Sequence, residues 1–163
     1  MKLITKAGLL FILILYVLIL TKLVLFKHYA VSEMFRFHFD MYKIKSSNFV
    51  PFKTIYLYLV VAKDLNSSIR IINLAGNVVG FVPFGFLLPL LNKDLFALTR
   101  MSLATLMLSF TYEIFQLFTY LGSFDVDDLL LNTIGGVIGY SILKLVSIMI
   151  ASRLKLRKFN EEV

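Results

Sequence analysis

The sequence predicts an all-α membrane protein: four transmembrane helices, with a long interfacial or re-entrant segment between the first and the second. Two observations predict it. Of 163 residues, 59% are apolar and 17% charged, with a mean hydropathy of +0.84. Soluble domains average roughly 45–50% apolar and 25% charged, and one of this length needs a polar skin that this chain does not supply. The apolar residues also fall into four runs, each near the roughly 20 residues a helix needs to cross hydrocarbon. The whole chain, residues 1–163, reads as one membrane domain.

The first run, 7–26, follows Lys2 and Lys6 and is interrupted late by Thr21 and Lys22. No small-residue cleavage site follows it, so it reads as an uncleaved anchor rather than a signal peptide. Residues 28–68 form the interfacial segment. Phe35, Phe37, Phe39 and Met41 alternate there with Arg36, His38 and Asp40, a period of two. Asn48-Phe49-Val50-Pro51-Phe52 follows, then an apolar run from Tyr56 to Ala62 that is too short to span. The second span, 71–91, contains Asn73, Asn77, Pro83 and Pro89, and the prolines are expected to bend or loosen it. The third, 101–121, contains Glu113 and Gln116. The fourth, 129–150, contains Asn132 and Lys144, and a basic tail, 151–163, ends the chain.

Loop charges set the expected orientation. Arg153, Lys155, Arg157 and Lys158 in the tail, and Lys93 and Arg100 around the second turn, belong in the cytoplasm. The link after the third span carries Asp125, Asp127 and Asp128 without a basic residue and belongs outside. Both termini are then cytoplasmic. The loop 27–70 opposes this with Lys27, Arg36, Lys43, Lys45, Lys53, Lys63 and Arg70, although the rule weakens over longer loops. The net charge of +7 follows from these loops. No groove-reading pattern accompanies it, so no nucleic-acid partner is expected.

Candidate functional residues are the polar ones inside the spans, because polar groups in hydrocarbon normally face the bundle interior. At 1.5 Å per residue, Asn73, Asn77, Gln116, Glu113 and Asn132 lie roughly 3, 9, 8, 12 and 5 Å below the outer face. Asn73 and Asn77, Glu113 and Gln116, and Asp128 and Asn132 are spaced to share one helix face each. Three stripes at similar depth would line an outward-opening cavity of amides and carboxylates. Glu113, so deep, is either protonated or paired. Asp125, Asp127 and Asp128 could guard its mouth, cap a helix, or hold a hard divalent cation through oxygen ligands. Lys144 can snorkel to the cytoplasmic face. Gly76 with Gly80, and Gly135 with Gly139 beside Gly136, have the spacing that lets membrane helices approach closely.

These residues resemble the VanZ-like family. The resemblance rests on an ordered set of blocks across about residues 48–140. They are Asn48-Phe49-Val50-Pro51-Phe52, Asn73-Leu74-Ala75-Gly76-Asn77 with Phe81-Val82-Pro83-Phe84-Gly85-Phe86-Leu87-Leu88-Pro89, Glu113-Ile114-Phe115-Gln116, and Asp125-Val126-Asp127-Asp128 continuing to Asn132, Gly135 and Gly136. Related sequences often carry an Arg just before the Asp block, where this chain has Gly122-Ser123-Phe124. The resemblance implies a multi-pass protein of the bacterial plasma membrane. The family is named for a member associated with tolerance to teicoplanin-type glycopeptides; the resemblance supplies no biochemical activity.

Three functions are compatible with these residues. The first is a non-transporting protein whose cavity (Asn73, Asn77, Glu113, Gln116, Asn132, with the three Asp residues at its rim) binds or alters a membrane lipid or lipid-linked envelope component. The second is an enzyme on a lipid-linked precursor, with Glu113, Asp127 and Asp128 as candidate acid–base groups; no nucleophile elbow, metal-ligand set or phosphate loop supports it. The third is a small transporter that must form a homo-oligomer. No organic cofactor is expected.

Overall fold

The computed structural model describes residues 3–26, 41–61, 67–119 and 121–161. Four long helices dominate it: α1 (Leu3–Leu25), α4 (Ser67–Leu91), α5 (Leu98–Phe118) and α6 (Val126–Glu161). All four are long and apolar enough to cross a membrane. Between α1 and α4 lie the short helices α2 (Met41–Ser46) and α3 (Lys53–Tyr56), the latter running into a π-helical turn, Leu57–Val61. The period-two alternation over residues 35–40 lies outside the described residues.

The apolar excess goes mainly to the outside of the bundle. Leu, Ile, Phe and Val side chains project from all four long helices, as expected where lipid is the solvent. The inside is held by two apolar clusters. One gathers Leu20, Leu25, Phe81, Tyr112 and Leu121; the other gathers Leu13, Phe84, Met101 and Tyr140. Hydroxyls inside the helices satisfy themselves locally. Thr21, Thr105, Thr119, Thr133 and Ser147 each donate to the carbonyl four residues earlier, at 2.7–3.0 Å.

Helices α4 and α6 run parallel and form the main pair of the bundle. Their backbones nearly touch. A Cβ built on Gly135 would lie 2.1 Å from the Val78 carbonyl oxygen, one on Gly139 1.9 Å from that of Val82, and one on Gly85 1.9 Å from that of Gly136. A Cβ on Gly136 would meet the side chain of Thr105 on the antiparallel α5, 2.2 Å from its Oγ1. This corrects the expectation for Gly76 and Gly80. Among the described residues, a Cβ on Gly76 meets nothing within 4 Å, and one on Gly80 meets only Leu20 at an ordinary 3.4 Å. The reason is helical phase: Gly85 lies nine residues, about 180°, from Gly76, so only one of them can face α6.

Helix α4 is one helix through Pro83 and Pro89. Both ends of α6 differ from expectation. Helix α6 begins three residues early, so Asp127 and Asp128 are its first turn rather than a preceding loop, and Asp125 caps it by accepting the Asp127 N–H at 2.8 Å. It also runs on through the basic tail to Glu161. At 36 residues it is about 54 Å long, well beyond a hydrocarbon core of roughly 30 Å. The α4–α5 turn is tightened by the Asn92 side chain, which accepts the Asp94 N–H at 3.0 Å, and by Arg100, which donates to the Asp94 carbonyl at 3.1 Å.

Candidate functional site

The polar residues gather where the N-terminal ends of α4 and α6 meet the C-terminal ends of α1 and α5. The centre of this region is a strap, residues 47–55, tied across the start of α6. Its backbone pairs with the α5–α6 link: the Asn48 N–H donates to the Phe124 carbonyl at 2.8 Å, and Val126 N–H to the Asn48 carbonyl at 2.9 Å. Phe49 stacks on Phe124, with ring centroids 5.1 Å apart.

Two carboxylates fasten the strap. Asp127 is fully buried, and one of its oxygens accepts the Phe52 N–H. Its other oxygen accepts the Thr54 N–H at 2.7 Å and the Ile55 N–H at 3.1 Å. Asp125 accepts from Asn48 Nδ2 at 2.9 Å and from Thr54 Oγ1 at 2.6 Å. The turn brings these donors together because Phe52 takes a left-handed conformation, φ 67°, as the N-cap of α3. The first turn of a short helix has free N–H groups, and Asp127 takes three in that region. Pro51, directly before Phe52, fixes its own φ in the turn.

Glu113 lies behind this arrangement. It is only 1% exposed and accepts the Asp125 N–H at 2.7 Å, bracing the link from α5. Asn132 is equally buried and donates to Ser109 at 2.8 Å, joining α6 to α5, while its Oδ1 has no partner among the described residues. Asp128 points elsewhere, as adjacent residues on a helix must, and accepts from Asn77 across the α4–α6 interface. Asp128 therefore diverges from Asp125 and Asp127, which both meet Asn48 and Thr54 of the strap. The carboxylates of Asp125 and Asp127 meet N–H and O–H donors, and no group of three or more His, Asp or Glu is placed to hold a metal ion among the described residues.

A cavity of about 510 Å³ opens beside the strap. Its polar lining comes from Thr54, Tyr58, Asn73, Asn77, Gln116, Ser123, Asp125 and Asp128, and its apolar lining from α1 and α4. That size lies within the range of small-ligand pockets. Of the residues singled out from sequence, Asn73, Asn77, Gln116, Asp125 and Asp128 line it. Glu113, Asp127 and Asn132 do not; they are packed into the walls behind it. Gln116 Nε2 donates to the Val24 carbonyl at 3.2 Å, and Asn73 Nδ2 to Tyr58 Oη at 3.5 Å, so both amides also tie neighbouring elements together.

Sequence spacing does not reveal several participants. Thr54 and Tyr58 stand in a stretch that reads as interfacial, and Ser109 looks like an ordinary helix hydroxyl. Tyr16, which donates to the Gly80 carbonyl, and Thr21, hydrogen-bonded to Tyr112 at 2.8 Å, seal α1 against α4 and α5. The nearest sequence signal is that Tyr16 and Thr21 are polar interruptions of an otherwise apolar run.

Four apolar helices, each long enough to span, around a polar cavity at one end of the bundle define a small multi-pass membrane protein. The comparisons place it further. The model of the VanZ/LLP1 family matches residues 12–147. The chain is 32% identical over 132 residues to Protein VanZ of Enterococcus faecium, an alignment covering 80% of this chain and 70% of that protein. It belongs to the VanZ/LLP1 family. No solved structure matches it.

Proposed function

We propose that this protein resides in a bacterial plasma membrane with both termini in the cytoplasm. Its cavity, open on the outer side, binds the polar group of an envelope component and so lowers susceptibility to teicoplanin-type glycopeptides. The observation that carries the reading is the cavity lining: three amides, Asn73, Asn77 and Gln116, together with Asp128, at one end of an apolar bundle. Such a lining offers both donors and acceptors, and polar groups are costly to keep in a membrane without a use. Charge supports the orientation. Lys93 and Arg100 at the α4–α5 turn, and Arg153, Lys155 and Arg157 near the end of α6, lie at the opposite end from the cavity, and the link 119–125 has no basic residue. The link to resistance comes from family membership.

The test compares teicoplanin susceptibility of cells expressing the wild type, Asn77→Ala and Gln116→Ala at matched membrane levels. Both variants are expected to lose protection while their purified forms unfold near the wild-type temperature. Full protection by both would overturn the assignment of this cavity.

A further inference from the structure

The cavity is walled unevenly. The sides formed by the strap, α5, the α5–α6 link and α6 are buried or half-buried. On the remaining side, Leu23 of α1 and Ile72 of α4 line the cavity yet are 61% and 60% exposed, and Gly76 beside them is exposed as well. These three residues mark a mouth on the seam between α1 and α4. Further along, the seam is closed by the Tyr16 bond to the Gly80 carbonyl and by Leu20 against Gly80. Both helices are long and apolar enough to span a membrane, and a mouth rimmed by Leu and Ile side chains suits a lipid surrounding. Such a rim carries no penalty against acyl chains, whereas it would be poorly hydrated if it faced water. The space is real at backbone level, since a Cβ on Gly76 would meet nothing within 4 Å among the described residues.

We infer that the cavity is loaded sideways from the bilayer, by a lipid or lipid-anchored molecule that passes between α1 and α4. Its chain lies along Leu23 and Ile72, and its hydroxyl- or amide-bearing head group reaches Asn77 and Gln116. This inference rests on the reading of the cavity as a ligand site, and adds that an amphiphile reaches it laterally, through the seam between α1 and α4. A polar cavity mouthed by apolar side chains matches a molecule with the same division.

The test uses the full chain in phosphatidylglycerol vesicles. Two photoactivatable probes, each with a diazirine in the acyl chain, are added separately: a phosphatidylglycerol and a glucosyl diacylglycerol. They distinguish an ordinary phospholipid from a sugar-bearing one. Labelling is expected to concentrate on residues 20–24 and 72–76. Gly76→Phe, which fills the mouth from α4, is expected to reduce it at least tenfold, and Leu23→Trp does the same from α1 should the first variant fold poorly. Ile142→Phe, on an exposed position of α6, is expected to leave it unchanged. Equal labelling of folded plugged and wild-type protein overturns the inference, as does label from both probes spread evenly over the exposed faces of α1 and α6. Labelling abolished by Asn77→Ala but untouched by both plugs would leave the cavity as a binding site and remove the lateral route alone. Labelling and antibiotic susceptibility both untouched by Asn77→Ala would remove the cavity reading itself.

Discussion

Replacing Asp127 by Asn tests the strap most directly. The wild-type carboxylate is fully buried and takes the N–H groups of Phe52, Thr54 and Ile55 on its two oxygens. An amide has one oxygen. It can keep Thr54 and Ile55 only by turning its NH₂ group toward the Phe52 N–H, donor against donor. The change removes one hydrogen bond to a charged group, worth about 1.5–3 kcal/mol, and weakens the other two by removing the charge. The strap is then held about 2–3 kcal/mol less tightly, which is roughly a 30- to 150-fold increase in opening. Amide hydrogen exchange of the detergent-solubilised protein measures this. The amides of Phe52, Thr54 and Ile55 are expected to lose protection by that factor, while those in the middle of α4 and α6 keep theirs. Unchanged protection at the three strap amides would refute the account of Asp127 as the fastening group. Loss spread equally over the whole bundle would refute the account of the strap as a separate unit.

Three further outcomes follow from the same geometry. Gly139→Ala places a methyl group 1.9 Å from the Val82 carbonyl oxygen and must push α4 from α6, at a cost of about 1–3 kcal/mol; Gly76→Ala, in open space, is expected to leave thermal unfolding within about 0.5 kcal/mol of wild type. Phe52 is left-handed and 65% exposed, so Phe52→Gly relieves an unfavourable conformation and is expected to stabilise by up to about 1 kcal/mol, read as a raised unfolding midpoint. Tyr16→Phe removes the α1 bond to the Gly80 carbonyl; buried bonds between membrane helices average about 0.6 kcal/mol, so a small fall in midpoint is expected, with faster proteolysis or exchange confined to α1.

The architecture was legible in the sequence because lipid imposes a simple rule. Backbone groups must be satisfied within each span, so an apolar run of sufficient length becomes a helix whatever its neighbours do. Helix ends were less legible. The fourth run starts at Leu129 by hydropathy, whereas α6 starts at Val126; two carboxylates in its first turn lower the hydropathy signal while stabilising the helix end. Position along each helix was legible too: rise per residue puts Asn73, Asn77, Gln116, Glu113 and Asn132 toward the same end of their spans, and all five lie at one end of the bundle.

Direction was not legible from depth. Glu113 and Gln116 share a helix, yet Gln116 lines the cavity and Glu113 braces the Asp125 backbone behind it. Asp127 and Asp128 are neighbours, yet one is spent on the strap and the other faces Asn77 and the cavity. The glycines divide in the same way, into those at the α4–α6 contact and Gly76 at the cavity mouth. By itself the sequence determined four apolar helices and a set of amides and carboxylates toward one end of them. Only the tertiary structure decided which of those groups became walls and which became lining. Composition and spacing fix where a residue sits along its helix, while the packing of one helix against another fixes what its side chain meets.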